Sequence, residues 1–273
     1  MALPSSDPDD SFPLPSSDSD ATTQISLTVT VATAQRRPRV ARRRQRGIRG
    51  ARGLRDRSRS RSKSPSPRSP RRILELFSGT GSVGKTFKAH GWEVVSLDIT
   101  DQGGYTPTHM VDILSWDFME AYPSRYFEVV WASPPCEHYS IARTTALTPR
   151  NLPYYDSLVA KSLDIIKHFR PKYYFIENPA SGLLRTRSVI KGERWLDVDY
   201  CMYGSEYRKR TRIWGVFPSA WTPRRLCRAD CWSCVASGSR KHKSTAQRGS
   251  GWSLNQLHHI PQALVEELAS SIK

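Results

Sequence analysis

Read for its apolar and polar positions, the chain changes character at Ile73. From there, short apolar runs recur between polar turns and longer stretches of helical period. ILELFS (73–78) leads into a glycine-rich turn and a helix-like VGKTFKAHG ending at Gly91. EVVSLDI (93–99), HMVDI (109–113), YFEVVWAS (126–133) and KYYFIENP (172–179) read as further strands, and DVDYCMYG (197–204) and RIWGVFP (212–218) as two more. LPYYDSLVAKSLDIIKHF (152–169) spaces Leu158, Ser162, Ile165, Ile166 and Phe169 roughly three and four apart and predicts a helix. From Pro261 onward, Leu264, Val265, Leu268 and Ile272 share a face and predict another. Strands alternating with helices predict an α/β domain over 73–273, built on a Rossmann-like, doubly wound, mostly parallel sheet of seven strands. Chemistry in such a sheet sits beyond the carboxyl ends of the strands.

Residues 1–72 carry no comparable pattern. ISLTVTVAT (25–33) alternates like a strand but stands alone between polar tracts, with nothing to pair with. An Asp/Ser-rich start gives way to an Arg/Ser-rich run ending in SRSRSRSKSPSPRSPRR (58–72), so a disordered tail is expected. Charge sharpens this division. The net +17 divides into −5 over 1–35, +16 over 36–72 and +6 over 73–273. The basicity is mostly a property of the tail. It suits polyanion contact, nuclear targeting or control by phosphorylation, and it also suits a solvated linker. All five cysteines lie at or after Cys136, which is no secreted disulfide framework and points to a reducing compartment. With no signal-like start and no membrane-length apolar run, an intracellular protein is expected, nuclear in a eukaryotic cell and without membrane partners.

The turn after the first strand admits three readings. Gly79-Thr80-Gly81-Ser82-Val83-Gly84-Lys85-Thr86 fits the dinucleotide loop, the phosphate-cradling loop of nucleotide triphosphatases, and, as FSGTG after a strand, the loop that holds an adenosylmethionine donor. Asp98, ending the second strand, serves any of the three. Two further motifs separate them. Ser133-Pro134-Pro135-Cys136 follows the fourth strand, and paired prolines fix a rigid turn that holds the next side chain in one place. Glu177 ends the fifth strand, followed by Asn178 and Pro179. A positioned thiol with a nearby acid is the equipment of covalent catalysis. A triphosphatase leaves both motifs unexplained.

In order, LELFSGTGS, LDI, VDI, SPPCEHYS, FIENP and YRKRTRIWG resemble the cytosine-C5 DNA methyltransferase family, in particular its compact phage- and algal-virus-like members. The likeness runs from Ile73 to about Pro218. It implies methylation of cytosine C5 in DNA, with RNA as the lesser alternative, from S-adenosyl-L-methionine. Phe77, Ser78, Gly79, Thr80 and Gly81 would cradle the amino-acid part of the donor, Asp98 its ribose, Ile99 and Asp112 its adenine, with Pro134 alongside. Cys136 would attack C6, Glu177 would support N3, and Arg210 and Arg212 would fall in the family's Gln-x-Arg-x-Arg element and orient the base. Three positions depart from the family pattern: Glu137 for Gln, Pro179 for Val and Arg208 for Gln.

Where larger members carry a recognition region, only a short insert (219–252) is present. It holds Cys227, Cys231, Cys234 and His242, four soft ligands within sixteen residues that zinc would accept. Their spacing matches no familiar zinc pattern, so ordinary reduced thiols are the expectation and zinc the minor reading. The basic SRKHKSTAQRG (239–249) suits contact with a phosphate backbone. Two other functions stay open at this level: a P-loop triphosphatase or kinase using Lys85 and Thr86, and a catalytically idle nucleic-acid binder.

Overall fold

The computed structural model describes residues 69–141, 143, 146–245 and 251–273. Residues 1–68 of the tail expected to be disordered, with its lone strand-like segment, and the end of the basic loop lie outside the described residues.

Seven strands form one sheet: β1 (Arg72–Leu76), β2 (Glu93–Asp98), β3 (His109–Met110), β4 (Val129–Ala132), β5 (Tyr173–Pro179), β6 (Trp195–Asp199) and β7 (Arg210–Val216). The described helices are α1 (Ser82–Ala89), α2 (Phe118–Ala121), α3 (Leu152–Phe169), α4 (Trp232–Ala236), α5 (Leu254–His258) and α6 (Gln262–Ser271). The strand order is β3-β2-β1-β4-β5-β7-β6. β1 to β5 are parallel, and β7 runs antiparallel to both its neighbours. The segment expected as strand 197–204 instead starts at Trp195, ends at Asp199 and closes in a 3₁₀ turn, Tyr200–Tyr203.

Successive side chains of a strand point to opposite faces, so β1, β4 and β5 feed two cores. Leu74, Leu76, Val130, Ala132 and Ile176 pack on one face with Leu158, Val159, Ile165, Ile166 and Phe169 of α3. Ile73, Val129, Trp131 and Phe175 pack on the other with Phe87 of α1 and Leu264, Val265 and Leu268 of α6. Burial on both faces is why these strands read as unbroken apolar runs. α3 starts where Asn151 accepts the Tyr154 amide at 3.2 Å, with a proline in its first turn.

The ordered framework begins before the boundary expected at 72/73. Arg71 grips Glu128 through Nε and Nη2, both at 2.9 Å, donates to the Ile272 carbonyl at 3.0 Å, and lies over the Trp92 ring. No described helix is long and apolar enough to cross a membrane.

Candidate active site

The strand order reverses between β1 and β4, and a ligand crevice belongs outside the carboxyl ends at such a point. A cleft of about 310 Å³ opens there, on the scale of a small-molecule site. It brings together Phe77, Ser78, Gly79, Thr80, Asp98, Ile99, Asp112, Pro134, Cys136 and Glu177. Of the residues expected to cradle a ligand, Gly81 is absent from the lining. It is buried beneath Tyr105, and a Cβ there would come within 2.5 Å of that ring. Packing against Tyr105 therefore requires a glycine at 81.

The turn after β1 is held in an uncommon shape. Phe77 has φ 57, Gly79 φ 51 and Gly81 φ 69. Two of these are glycines, but Phe77 is a bulky residue in the left-handed region, the strain that gathers at functional sites. The Gly79 amide donates to Asp98 Oδ2 at 2.7 Å and the Ile99 amide to Oδ1 at 2.8 Å, so the end of β2 pins the turn. Ser78 Oγ is buried with no partner and belongs to the cleft wall, an orphan that a polar ligand would satisfy.

Glu75 went unnoticed in the sequence and decides between the loop readings. Buried on β1, it accepts the Val83 amide at 3.2 Å and the Gly84 amide at 2.9 Å, at the start of α1. Burial pushes its carboxyl up to about 8, partly offset by those two amides. The helix-terminal amides a triphosphate would need are thus taken by a carboxyl group. Lys85 folds back onto the Thr80 carbonyl at 2.8 Å, and Thr86 Oγ1 donates to the Ser82 carbonyl at 3.1 Å. The triphosphatase alternative fails on this geometry. Gly84 is needed because a Cβ there would lie 2.5 Å from Glu75 Oε2.

Cys136 sits on a turn fixed from three sides. Asn178 Nδ2 holds the Pro134 carbonyl at 2.9 Å, and the Tyr139 and Ser140 amides close on the Cys136 carbonyl at 3.0 and 2.9 Å. The fully buried Tyr139 donates to Asp156, which Arg187 grips with Nε and Nη2. Burial pushes the Cys136 thiol up to about 11, and the Lys209 ammonium pulls it back down. Glu177 Oε1 accepts from Tyr200 Oη at 3.0 Å and lies 3.8 Å from Lys209 Nζ. A thiol, a carboxyl group and a cation therefore face one cleft.

Arg210 and Arg212 do not join them. Arg210 forks onto Asp199 at 3.0 and 2.9 Å, and Arg212 onto Asp197 at 2.7 and 3.0 Å, clamping β7 to β6. Arg212 also lies 3.5 Å over the Trp195 ring. Burial pushes the Asp199 carboxyl up, but the Arg210 fork, the Cys227 amide and Arg208 outweigh this and hold it below the usual range. Lys209, pointing the other way along the strand, enters the cleft instead, as do His258 and Ile260 from the C-terminal segment. The signal for Lys209 was strand alternation: 210 and 212 share a face, and 209 lies on the opposite one. Cys227, Cys231, Cys234 and His242 gather away from the cleft with a fourth cysteine, Cys201.

Residues 71–191 match the model of the C-5 cytosine-specific DNA methylases. A frog virus 3 (isolate Goorha) protein named "Probable DNA (cytosine-5)-methyltransferase" is 32% identical over 221 residues, covering 72% of this chain and 98% of that protein. Among solved structures, an E. coli prophage protein assigned as a DNA modification methyltransferase overlays at TM-score 0.42 and 12% identity, covering 57% of this chain and 52% of that one. The Entamoeba histolytica methyltransferase EhMeth overlays at 0.39 and 16% identity, covering 58% and 56%. The chain spans about half the length of each of these solved chains.

Proposed function

The chain belongs to the C-5 cytosine-specific DNA methylase family, and on that premise we propose that it methylates cytosine C5 in DNA, with S-adenosylmethionine as donor and Cys136 as nucleophile. The observation that carries this reading is that Cys136 and Glu177 share one cleft with the 77–80 turn and Asp98.

The donor is supported by the unpartnered Ser78 hydroxyl, the strained turn that bares its backbone, and the Asp98 carboxylate at the end of β2. On this reading Phe77 to Thr80 hold the amino-acid part, Asp98 the ribose hydroxyls and Asp112 the adenine amine, while the exposed Ile99 covers the adenine ring. The donor supplies an electrophilic methyl group. Cytosine C5 is too weak a nucleophile to accept it unaided. The Cys136 thiolate adds to C6, and Glu177 holds a proton at N3, so that the ring becomes an enamine with raised electron density at C5. Tyr200 and Lys209 keep Glu177 in place. Once C5 is methylated, loss of its proton and departure of the thiolate from C6 restore the aromatic ring. Arg210 and Arg212 act on this chemistry only by holding β7, which Lys209 immediately precedes.

The test is transfer from labelled donor to DNA duplexes and to RNA of the same sequence, followed by base-resolved mapping. Label at C5 of cytosines in DNA is expected. Label on exocyclic amines, or on RNA alone, overturns the proposal. A duplex carrying 5-fluorocytosine tests the adduct, because fluorine cannot leave as the C5 proton does. A denaturation-resistant crosslink at Cys136 is expected.

A further inference from the structure

Four of the chain's five cysteines meet at one place outside the lining of the cleft. Cys201 lies on the 3₁₀ turn after β6, Cys227 in the coil after β7, and Cys231 and Cys234 at the start of α4 and within it. His242 returns from the following loop. The ligand atoms of Cys201, Cys227, Cys231 and His242 all lie within 4.8 Å of one another. Cys227 Sγ is 3.7 Å from His242 Nε2, and Cys234 Sγ is 3.5 Å from both His242 Nε2 and Cys231 Sγ. Tetrahedral zinc, with sulfur at roughly 2.3 Å and nitrogen at roughly 2.0 Å, sets its ligands about 3.5–3.8 Å apart. All four cysteines are free thiols.

Hydrophobic packing does not account for this arrangement. Among the described residues from 222 to 245, the buried ones are Cys227, Cys231, Ser233 and Cys234, while Trp232 and Val235 face outward. A segment with no aliphatic or aromatic side chain inside has no core of its own, and such segments are commonly held by a metal. The surroundings match. Asp199 accepts the Cys227 amide at 3.0 Å, and Ser233 ties the Glu206 carbonyl to the Lys243 amide. Arg225, Arg228, Lys241 and Lys243 flank the cluster in sequence, the right sign for a site of three thiolates whose net charge with zinc is negative.

We propose that Cys201, Cys227, Cys231 and His242 bind one structural Zn²⁺, which staples the short insert to the turn at the end of β6. Cys234 Sγ, though 3.5 Å from Cys231 and His242, is not among the four ligand atoms that lie mutually within 4.8 Å, and stands outside the ligand set. Each cysteine ligand loses its proton to solvent when the metal binds, and no redox change is involved. The site acts on the cleft through one peptide bond, because Cys201 follows Tyr200, the donor to Glu177.

Full-length protein from zinc-supplemented medium, desalted and analysed for metal, should carry about one zinc per chain. Replacement by Co²⁺ should give the visible absorption of a tetrahedral thiolate site. Folded wild-type protein with less than a tenth of an equivalent of zinc and no cobalt spectrum overturns the proposal, and needs no variant. Cys201→Ser should reduce bound zinc at least tenfold, and Cys234→Ser should leave it within about twofold. The reverse pattern overturns the ligand set. Metal content does not depend on methyl transfer, so this outcome stands apart from that of the proposed activity.

Discussion

Cys136 and Lys209 face each other across the cleft from opposite ends of the legible range. Cys136 could be read directly, because two prolines before a cysteine at a strand end announce a held side chain. Lys209 could not, since a lysine in YRKRTRIWG looks like any member of a charge run until the pairing of β7 is known. Phe77 was legible as part of the turn, but its left-handed conformation was not, because phenylalanine carries no sequence signal for positive φ. We expect Cys136→Ser to lower transfer by about 10³-fold or more while donor affinity stays within about twofold, since the thiolate is needed only for chemistry. Retained transfer, measured in single turnover with a parallel donor titration, would sink the covalent mechanism. The raised thiol also fixes a pH profile. Below about 11 the thiolate is the minor form, so kcat/KM of the free enzyme should rise about tenfold per pH unit across neutrality. Lys209→Met removes a nearby cation that lowers this thiol, and should slow transfer at pH 8 by about tenfold, with the deficit constant while the thiolate is the minor form in both proteins and shrinking only as pH nears 11. A deficit that lies wholly in KM, with kcat unchanged, would assign Lys209 to binding alone.

At the level of elements, apolar runs and helical spacing gave the seven strands and α1, α3 and α6, with α3 correct to the residue, but not the short α2, α4 and α5. Alternation of strands and helices also gave a mostly parallel sheet; strand order and the reversed direction of β7 were beyond it, because nothing in a strand's own pattern says which strand it will neighbour. One pairing was nevertheless written in the sequence. Asp197 and Asp199 alternate on β6 as Arg210 and Arg212 do on β7, and the register sets them directly opposite. Arg210→Ala would leave the fully buried Asp199 without its fork, and should destabilise the domain by about 2–3 kcal/mol in urea unfolding, a figure reduced for the partial exposure of Arg210. Lost transfer at unchanged stability would return Arg210 to handling the base. Glu75 supplies the second test. Its unfolded counterpart loses a proton near pH ~4.3, whereas burial holds the folded group at about 8. Between those values the folded chain binds a proton that the unfolded chain has released. The stabilisation is therefore complete at low pH and declines as pH rises toward 8. Thermal melts across pH 5–8 should show a fall of about 5 °C from this source. Glu75→Gln, starting from a lower Tm because it offers one acceptor to two amides, should flatten that fall. An unchanged slope would place the titration elsewhere.

For the molecule as a whole, the sequence set the start of the α/β domain at Ile73, where the apolar pattern starts. It missed Arg71 and Arg72, since arginines that grip the domain look the same as those of the run before them. A chain starting at residue 69 should melt within about 2 °C of full length, whereas one starting at Ile73 loses the Arg71–Glu128 and Arg72–Glu93 contacts and should melt about 5 °C lower. Both should bind DNA with a shallower dependence on salt than full length, because most of the +16 segment is gone, and both should methylate the same sequence context. A changed context would show that the removed residues read bases.

The contact from Arg71 to the Ile272 carbonyl spans 201 positions, and β7, though made after β6, lies between it and β5. Both bear on how the protein is born. As the chain leaves the ribosome, β6 has no edge to join until β7 follows, so Glu177 waits for Tyr200 and Lys209 to be brought beside it. The face of the sheet that carries Phe175 and Trp131 has α1 on it but stays only partly covered until residues 262–272 have emerged. That interval of exposed apolar surface is when this chain most needs protection from other nascent chains.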